Sequence, residues 1–548
     1  MKKTITLLAF LSAYAFMNAQ TFDWAKKFSL SNYTLGTSIE LDAAGNIYVS
    51  GSYYETGSAG PPSGPSGAYI AKFDNSGNLQ WRDTVNGSDG EWQRVAVDPS
   101  GNVYLGTFVT GTKMVGGTAV TSAGVKDMLI SKYDPSGTLL WVKTAGGTAN
   151  DVIQGIDTDA AGNIYITGYF GGTALFDGIS LSASGNADIF VAKLNPAGAF
   201  LWAEKATGAS DVGSGVGLDQ ALNISVDNAG NSYIAGYFVS SAVFGTITIT
   251  GANVRDGYIA KINTGGTWDW ATTIAGTTGS IATAMSIATD ITGNSYVAGS
   301  FSGTTNFNGA TLTSLGSNDA YLAKFNNSGA FVWARQAGGT GNDLGHAVMV
   351  DALGNPYLAG SFTANATVGD TSFTIAGEEN AFIAKYDNAG TFSWAKQIKA
   401  NTGAWEFVTP HGMDTDAAGN VYVTGVFFAG AIFDGITLTA TLAAADAFIA
   451  KLNPSVATNI NAVAETAAQF QIADGGNQTL QLLYKTEQPS IVDLEILSVT
   501  GQCIYMERNI QLEGKGSKSI ALPACSKGMY FVNLISKENK KALKMVIH

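Results

Sequence analysis

Cysteine is almost missing from this chain: only Cys503 and Cys525 occur in 548 residues, both near the C-terminal end. Disulfides therefore cannot hold the bulk of the fold, and two thiols or one disulfide at that end remain equally open readings. Histidine is nearly as scarce, with His346, His411 and His548 alone, which excludes a site built from several His ligands. Charged residues make up 13% and basic ones are the minority, 30 against 43 acidic, for a net charge of -13 and a pI near 4.7. Such a field repels nucleic acid and anionic membrane surfaces. Beyond the first residues no apolar run is long enough to cross a bilayer as a helix, and no glycine-rich phosphate loop opens a helical pattern. No cofactor, metal or nucleic-acid partner is expected.

Glycine, at 67 residues, and aromatics, at 11%, are plentiful, while proline stops at 11. Many short strands joined by tight turns suit that composition. Met1-Lys2-Lys3 and the apolar run Thr4 to Met17 read as a secretory signal. Cleavage after Ala15 or Ala19 fits, and the latter, which leaves Gln20 first, is preferred.

A repeat organises most of the rest. The phrase Asp-x-x-Gly-Asn-x-Tyr starts at Asp42, Asp98, Asp159, Asp227, Asp290, Asp351 and Asp416. Between these phrases come apolar strands ending in Lys72, Lys132, Lys193, Lys261, Lys324, Lys385 and Lys451. Trp81, Trp141, Trp202, Trp270, Trp333 and Trp394 follow the first six lysines. The last copy has no Trp, but Thr21-Phe22-Asp23-Trp24-Ala25-Lys26 matches the missing strand. Splitting one repeat between the chain's ends closes a ring and leaves no free edge, so a closed propeller is expected, with four strands per copy. The Asp-x-x-Gly phrases read as turns rather than calcium loops, because further oxygen ligands are missing. The repeated Trp reads as packing between blades, and the repeated Lys as a solvated edge with its stem on apolar neighbours. Asp127, Asp188, Asp256, Asp319 and Asp446 precede their lysines by an odd offset, which puts the two side chains on opposite faces of the strand.

These phrases resemble the SBBP family, the seven-bladed β-propeller repeat of bacterial secreted proteins, over roughly Thr21 to Pro454. The resemblance implies an all-β, seven-bladed β-propeller outside the cytoplasm but no defined reaction. After a linker expected at 455–474, strands are predicted at Leu480 to Tyr484, Ile491 to Val499, Gln502 to Glu507, Met529 to Ile535 and Lys541 to Ile547, forming a small β-sandwich at 475–548. The segments 497–502, 528–532 and 544–547 resemble the C-terminal sorting domain of the Bacteroidetes type IX secretion system. That resemblance implies the secretion machinery as partner, usual removal of the domain during export, and a place outside the cell or on its surface. A permanent accessory sandwich is the alternative.

Aligning the innermost strands on their turn Asp gives a ring of Thr37, Gln93, Gln154, Leu222, Met285, His346 and His411. Two residues before the turn come Glu40, Ala96, Asp157, Ser225, Ala288, Met349 and Asp414, bringing Glu40 and Asp414 to one seam. Propellers bind ligands at the channel mouth, so these positions are the candidate site, beside the plainer reading of a polar, wet channel. Trp92 and Trp405 stand off the repeated Trp position, in loops where an aromatic face can meet a sugar. The leading reading is an exported noncatalytic module binding glycan or a surface protein. A glycan-active enzyme using Glu40, Asp157 and Asp414, and a structural surface-layer or matrix component, are the alternatives.

Overall fold

The computed structural model describes residues 20–56, 62–87, 93–208, 219–251, 253, 255–401, 403, 405–440, 445–453, 469–474, 479–485, 490–498, 503–513, 515–521, 528–535 and 540–547. The expected leader at 1–19 lies outside them. All described elements are strands, and the chain divides into two compact units, Met1–Ser455 and Val456–His548.

In the first unit each copy runs as an antiparallel meander. In the third, Asp151–Thr158 pairs with Ile164–Phe170, then Asp188–Leu194, then Phe200–Gly208. Among the described residues the last copy has no fourth strand of its own. Thr21–Phe28 supplies it, pairing antiparallel with Ala445–Asn453 from Thr21 opposite Asn453 to Phe28 opposite Ala447. The innermost strands touch in succession, and Val408–Thr415 of the last copy touches Tyr33–Leu41 of the first.

The structure departs from four strands per copy. The connection between the second and third strands folds into a hairpin, such as Thr173–Phe176 with Ile179–Ser182. Its first strand adds to the outer strand of the preceding copy, Leu139–Gly147, and four later junctions repeat this. These strands of three or four residues are too short for alternation to reveal.

The repeated phrases meet in one cluster per copy. Asp42 accepts the N–H groups of Ala44 and Asn46 through one oxygen and the Asn46 amide and Tyr48 hydroxyl through the other. Gly45 sits at φ 79°, where a side chain is disfavoured. The Tyr ring then lies under the repeated lysine: Nζ stands 4.5–5.3 Å from the centroid in the seven pairs from Lys72 over Tyr48 to Lys451 over Tyr422. For four of the seven lysines this corrects the reading as a solvated edge. Lys132, Lys193, Lys261 and Lys324 are only 6–7% exposed. Their ammonium groups reach the turn of the next copy, as in Lys132 to the Pro196 carbonyl at 3.0 Å. The repeated Trp acts alongside, since Trp141 Nε1 donates to the same carbonyl at 3.3 Å while its ring covers Gly198. Lys451 and Tyr422 in the last copy both donate to Asn75 in the first copy's turn, and Trp24 covers Gly77 there. Apolar clusters fill the space between successive sheets, with the seven motif tyrosines fully buried.

The second unit holds a three-stranded sheet, Gln469–Asp474, Thr479–Lys485 and Lys515–Ala521, and a four-stranded one, Cys503–Leu512, Ser490–Ser498, Gly528–Ile535 and Lys540–Ile547. Two strands here differ from the sequence reading. Gln469–Asp474 falls within the expected linker, and Lys515–Ala521 was not expected at all; both are polar enough to hide their alternation. Cys525 lies outside the described residues.

Candidate functional site

Six inner strands break register at one place: Gly36/Ser38, Ile153/Gly155, Ala221/Asn223, Ala284/Ser286, Gly345/Ala347 and Pro410/Gly412. The residues left out of the ladder are Thr37, Gln154, Leu222, Met285, His346 and His411. A bulge bends its strand and re-aims the extra side chain. Gln93, the seventh ring member, lies just before Arg94–Val97.

Five of these bulge residues, Gln154, Leu222, Met285, His346 and His411, line a cavity of about 200 Å³ together with Arg94, Gln220, Tyr237, Arg255 and Thr283. Arg94 is oriented by carbonyls, donating through Nε to Gln154 at 2.8 Å and through a terminal nitrogen to Thr37 at 3.4 Å. Arg255 lies over the Tyr237 ring, its guanidinium carbon 4.3 Å from the centroid. The Gln154 amide donates to Gln220 at 3.1 Å, and Gln154 Oε1 is buried without a partner among the described residues. The two histidine rings stand 6.0 Å apart at 79°. His346 Nε2 meets Ser361 Oγ at 2.9 Å, and His411 Nδ1 meets the Gly36 carbonyl at 3.0 Å. Burial, with repulsion from His411, pushes His346 down to about 3, and burial pushes His411 down to about 4, so both are neutral at ordinary pH.

The expected carboxylates sit about three residues further along the strands, roughly 10 Å away at strand rise. Glu40 and Asp414 do come together. Burial and then the neighbouring Asp414 and Asp157 hold Glu40 well above the usual carboxylate range. Asp414 is pushed up to about 6 and Asp157 to about 7, both chiefly by burial. Asp157 accepts the N–H groups of Thr158 and Val226, and Asp414 those of Thr415 and Leu41, so both carboxylates tie neighbouring inner strands together.

The sequence-derived site thus separates into two levels, one of bulge residues and one of acids. Trp92 lies outside the described residues. Trp405 is 74% exposed and holds φ 70°, a left-handed conformation unusual for a large side chain. Arg94, Gln220, Tyr237 and Arg255 were not anticipated. The shortage of arginine was the available signal, since four of the chain's five, Arg82, Arg94, Arg255 and Arg335, precede the second unit and two of those reach one cavity.

Among curated proteins, an uncharacterised WD repeat-containing protein of Acanthamoeba polyphaga mimivirus is 25% identical over 69% of this chain. The chain spans about a third of that relative, 34% of its length. Among solved structures, a fungal alcohol oxidase of the AA5 family in complex with copper aligns at TM-score 0.38 and 11% identity, covering 96% of this chain and 100% of its own. A puromycin hydrolase mutant aligns at TM-score 0.34 and 9% identity, covering 72% and 58%. Likenesses this distant carry no functional argument. Residues 476–548 match the family described as Secretion system C-terminal sorting domain. The chain therefore carries a sorting domain of the kind read in type IX secretion, and it is a secreted or cell-surface protein.

Proposed function

We propose that the seven copies close into a seven-bladed β-propeller of the SBBP type, and that its channel mouth binds the end of a glycan without catalysing a reaction. Closure is supported by the last junction, where Lys451, Tyr422 and Trp24 engage the first copy's turn as their counterparts engage each next turn. Binding is carried by one observation: bulges aim polar side chains into a single small cavity, leaving Gln154 Oε1 as a buried acceptor suited to a hydroxyl. Trp405, exposed beside the inner strand that bears His411, supplies an aromatic face at the rim. The acids favour a structural role over glycosidic chemistry, because Asp157 and Asp414 already accept backbone N–H groups.

A glycan array probed with the exported chain tests this reading, with Gln154→Ala and Trp405→Ala beside the wild type. Binding lost in Gln154→Ala with folding retained is the expected result. Cleaved product from any bound glycan overturns the noncatalytic reading, and silence across a broad array overturns the glycan reading.

A further inference from the structure

We infer that the glycan entering the channel mouth continues across a second pocket at the junction of the sixth and seventh copies, where Glu406 and Asn401 hold the hydroxyls of a neutral sugar ring beside Trp405. This rests on the glycan reading above and extends its ligand to a neutral oligosaccharide.

The sequence marks the place. His411 follows Trp394 by 17 positions, whereas Gln154 follows Trp141 and His346 follows Trp333 by 13. The added length brings Trp405 into a loop, where binding residues concentrate. Its left-handed backbone is a strain that the surrounding structure has to hold in place.

A cavity of about 410 Å³ opens at this loop, lined among the described residues by Asn401, Gly403, Glu406 and Ile432. It falls within the roughly 300–1,000 Å³ of ligand pockets and shares no lining residue with the channel-mouth cavity. Two glycines make room for its polar groups: a Cβ on Gly430 would collide with the Asn401 amide, and one on Gly403 with the Glu406 carboxylate. Glu406 Oε2 is buried and has no hydrogen-bond partner among the described residues, so it is placed to accept from a ligand hydroxyl. The Asn401 amide both donates and accepts, as sugar hydroxyls do. Ile432 offers an apolar surface to the ring.

Charge selects a neutral ring. Glu406 repels a uronic acid, and Glu378, whose N–H donates to the Glu406 carbonyl at 2.8 Å, adds a second acid nearby. A cationic sugar meets Lys399, which pairs directly opposite Ile432 and so leaves the sheet on the same face. Uncharged hydroxyls suit both groups. The two cavities also share one stretch of chain, since Glu406 lines the first and His411 the second. Five residues span at most about 18 Å, a distance that a few linked sugar rings cover.

Calorimetric titration of the exported chain with cello-, laminari-, manno- and xylo-oligosaccharides of one, two, four and six residues, and with tetragalacturonate, tests the inference. In one neutral series the hexamer is expected to bind at least tenfold tighter than the monosaccharide, and the tetramer at least tenfold tighter than tetragalacturonate. Glu406→Ala and Asn401→Ala are each expected to erase the gain with length while monosaccharide binding persists. Glu406→Gln should restore part of that gain, and the exposed Asp269→Asn should leave it unchanged. Gln154→Ala, by contrast, should weaken binding at every length. Affinity independent of length, or a gain with length that survives Glu406→Ala, overturns the inference while the glycan reading stands. Tetragalacturonate bound as tightly as the neutral tetramer overturns the assignment of a neutral ring. Absence of binding to all the neutral series, with array binding retained, also overturns the inference. Absence on the array as well removes the reading beneath it. Should Glu406→Ala fail to fold, Asn401→Ala and the wild-type length series still decide.

Discussion

Asp414 accepts the backbone N–H of Leu41 at 2.8 Å, across 373 residues of sequence. The same bond recurs inside the array, where Asp157 accepts the Val226 N–H at 2.7 Å and Ser225 accepts that of Thr289 at 3.1 Å. In each case the residue two before one turn Asp serves the residue one before the next. The inner strands have unpaired edges, and these side chains satisfy them. The last-to-first junction therefore uses the chemistry of the internal ones. Glu40 departs from the pattern, because it sits against Asp414, whose charge adds to burial in holding the Glu40 carboxyl well above the usual range.

Glu40→Gln should stabilise the protein at alkaline pH. A carboxyl whose folded pKa is raised contributes stability at low pH and loses it as pH rises through the folded value. Gln keeps the hydrogen bond to Asp414 without the second charge. Denaturant melts are expected to show a gain of about 1 kcal/mol or more at pH 8 and little difference at pH 4. A gain of equal size at both pH values would show that charge is not the cause.

Removing residues 21–28 should expose the edge of Ala445–Asn453 and uncover Phe448, which packs with Phe433 and, through it, Phe22. The truncated chain is expected to melt at least 10 °C lower and to self-associate in light scattering, while the same peptide added in trans restores part of the loss. An unchanged melting temperature would mean that this strand is dispensable for the array.

Trp202→Ala tests the clasp between copies. Its indole donates to Thr264 at 3.1 Å and covers Gly266, where an added Cβ would lie 3.1 Å from the ring. Trp202 is only partly buried, so a loss of about 2–3 kcal/mol is expected, at or below the low end of the range for buried aromatics. Gly266→Ala is expected to destabilise as well, because φ there is 84°. The double variant should lose less than the sum, since the two residues share one contact.

The array was legible because its signals are local and recur: the turn Asp and Gly, the Tyr, the Lys and the Trp each hold one fixed offset. Even the split last repeat shows itself, as Trp24 has no other place in the pattern. The bulges at Thr37, Gln154, Leu222, Met285, His346 and His411 leave no comparable mark, because five kinds of side chain occupy the six positions and none is glycine. Aligning on the turn still put His346 beside His411. Arg255 was out of reach, since it precedes the strand Asp256–Ile262 and arrives at the cavity through a loop. Four of the seven lysines were misread because burial of their ammonium groups depends on the neighbouring copy, which no window of sequence contains.

His346 and His411 give the array an acid-sensitive point. Both have folded pKa values below the ordinary value near 6.5, so the unfolded chain binds more protons between about 6.5 and about 3. Stability must then fall as pH drops through that window, on the order of 2–3 kcal/mol for each ring by pH 4. Asp157 and Asp414 work the other way, since their raised values favour the folded state as pH falls from about 7 toward 4. A wild-type profile sums the two slopes and hides both. His346→Gln with His411→Gln should leave only the carboxylate slope, so that the double variant is more stable at pH 4.5 than at pH 7. A wild type that loses no more stability than the double variant between pH 7 and pH 4.5 would show that the rings are protonated without cost, and so stand open to water rather than desolvated.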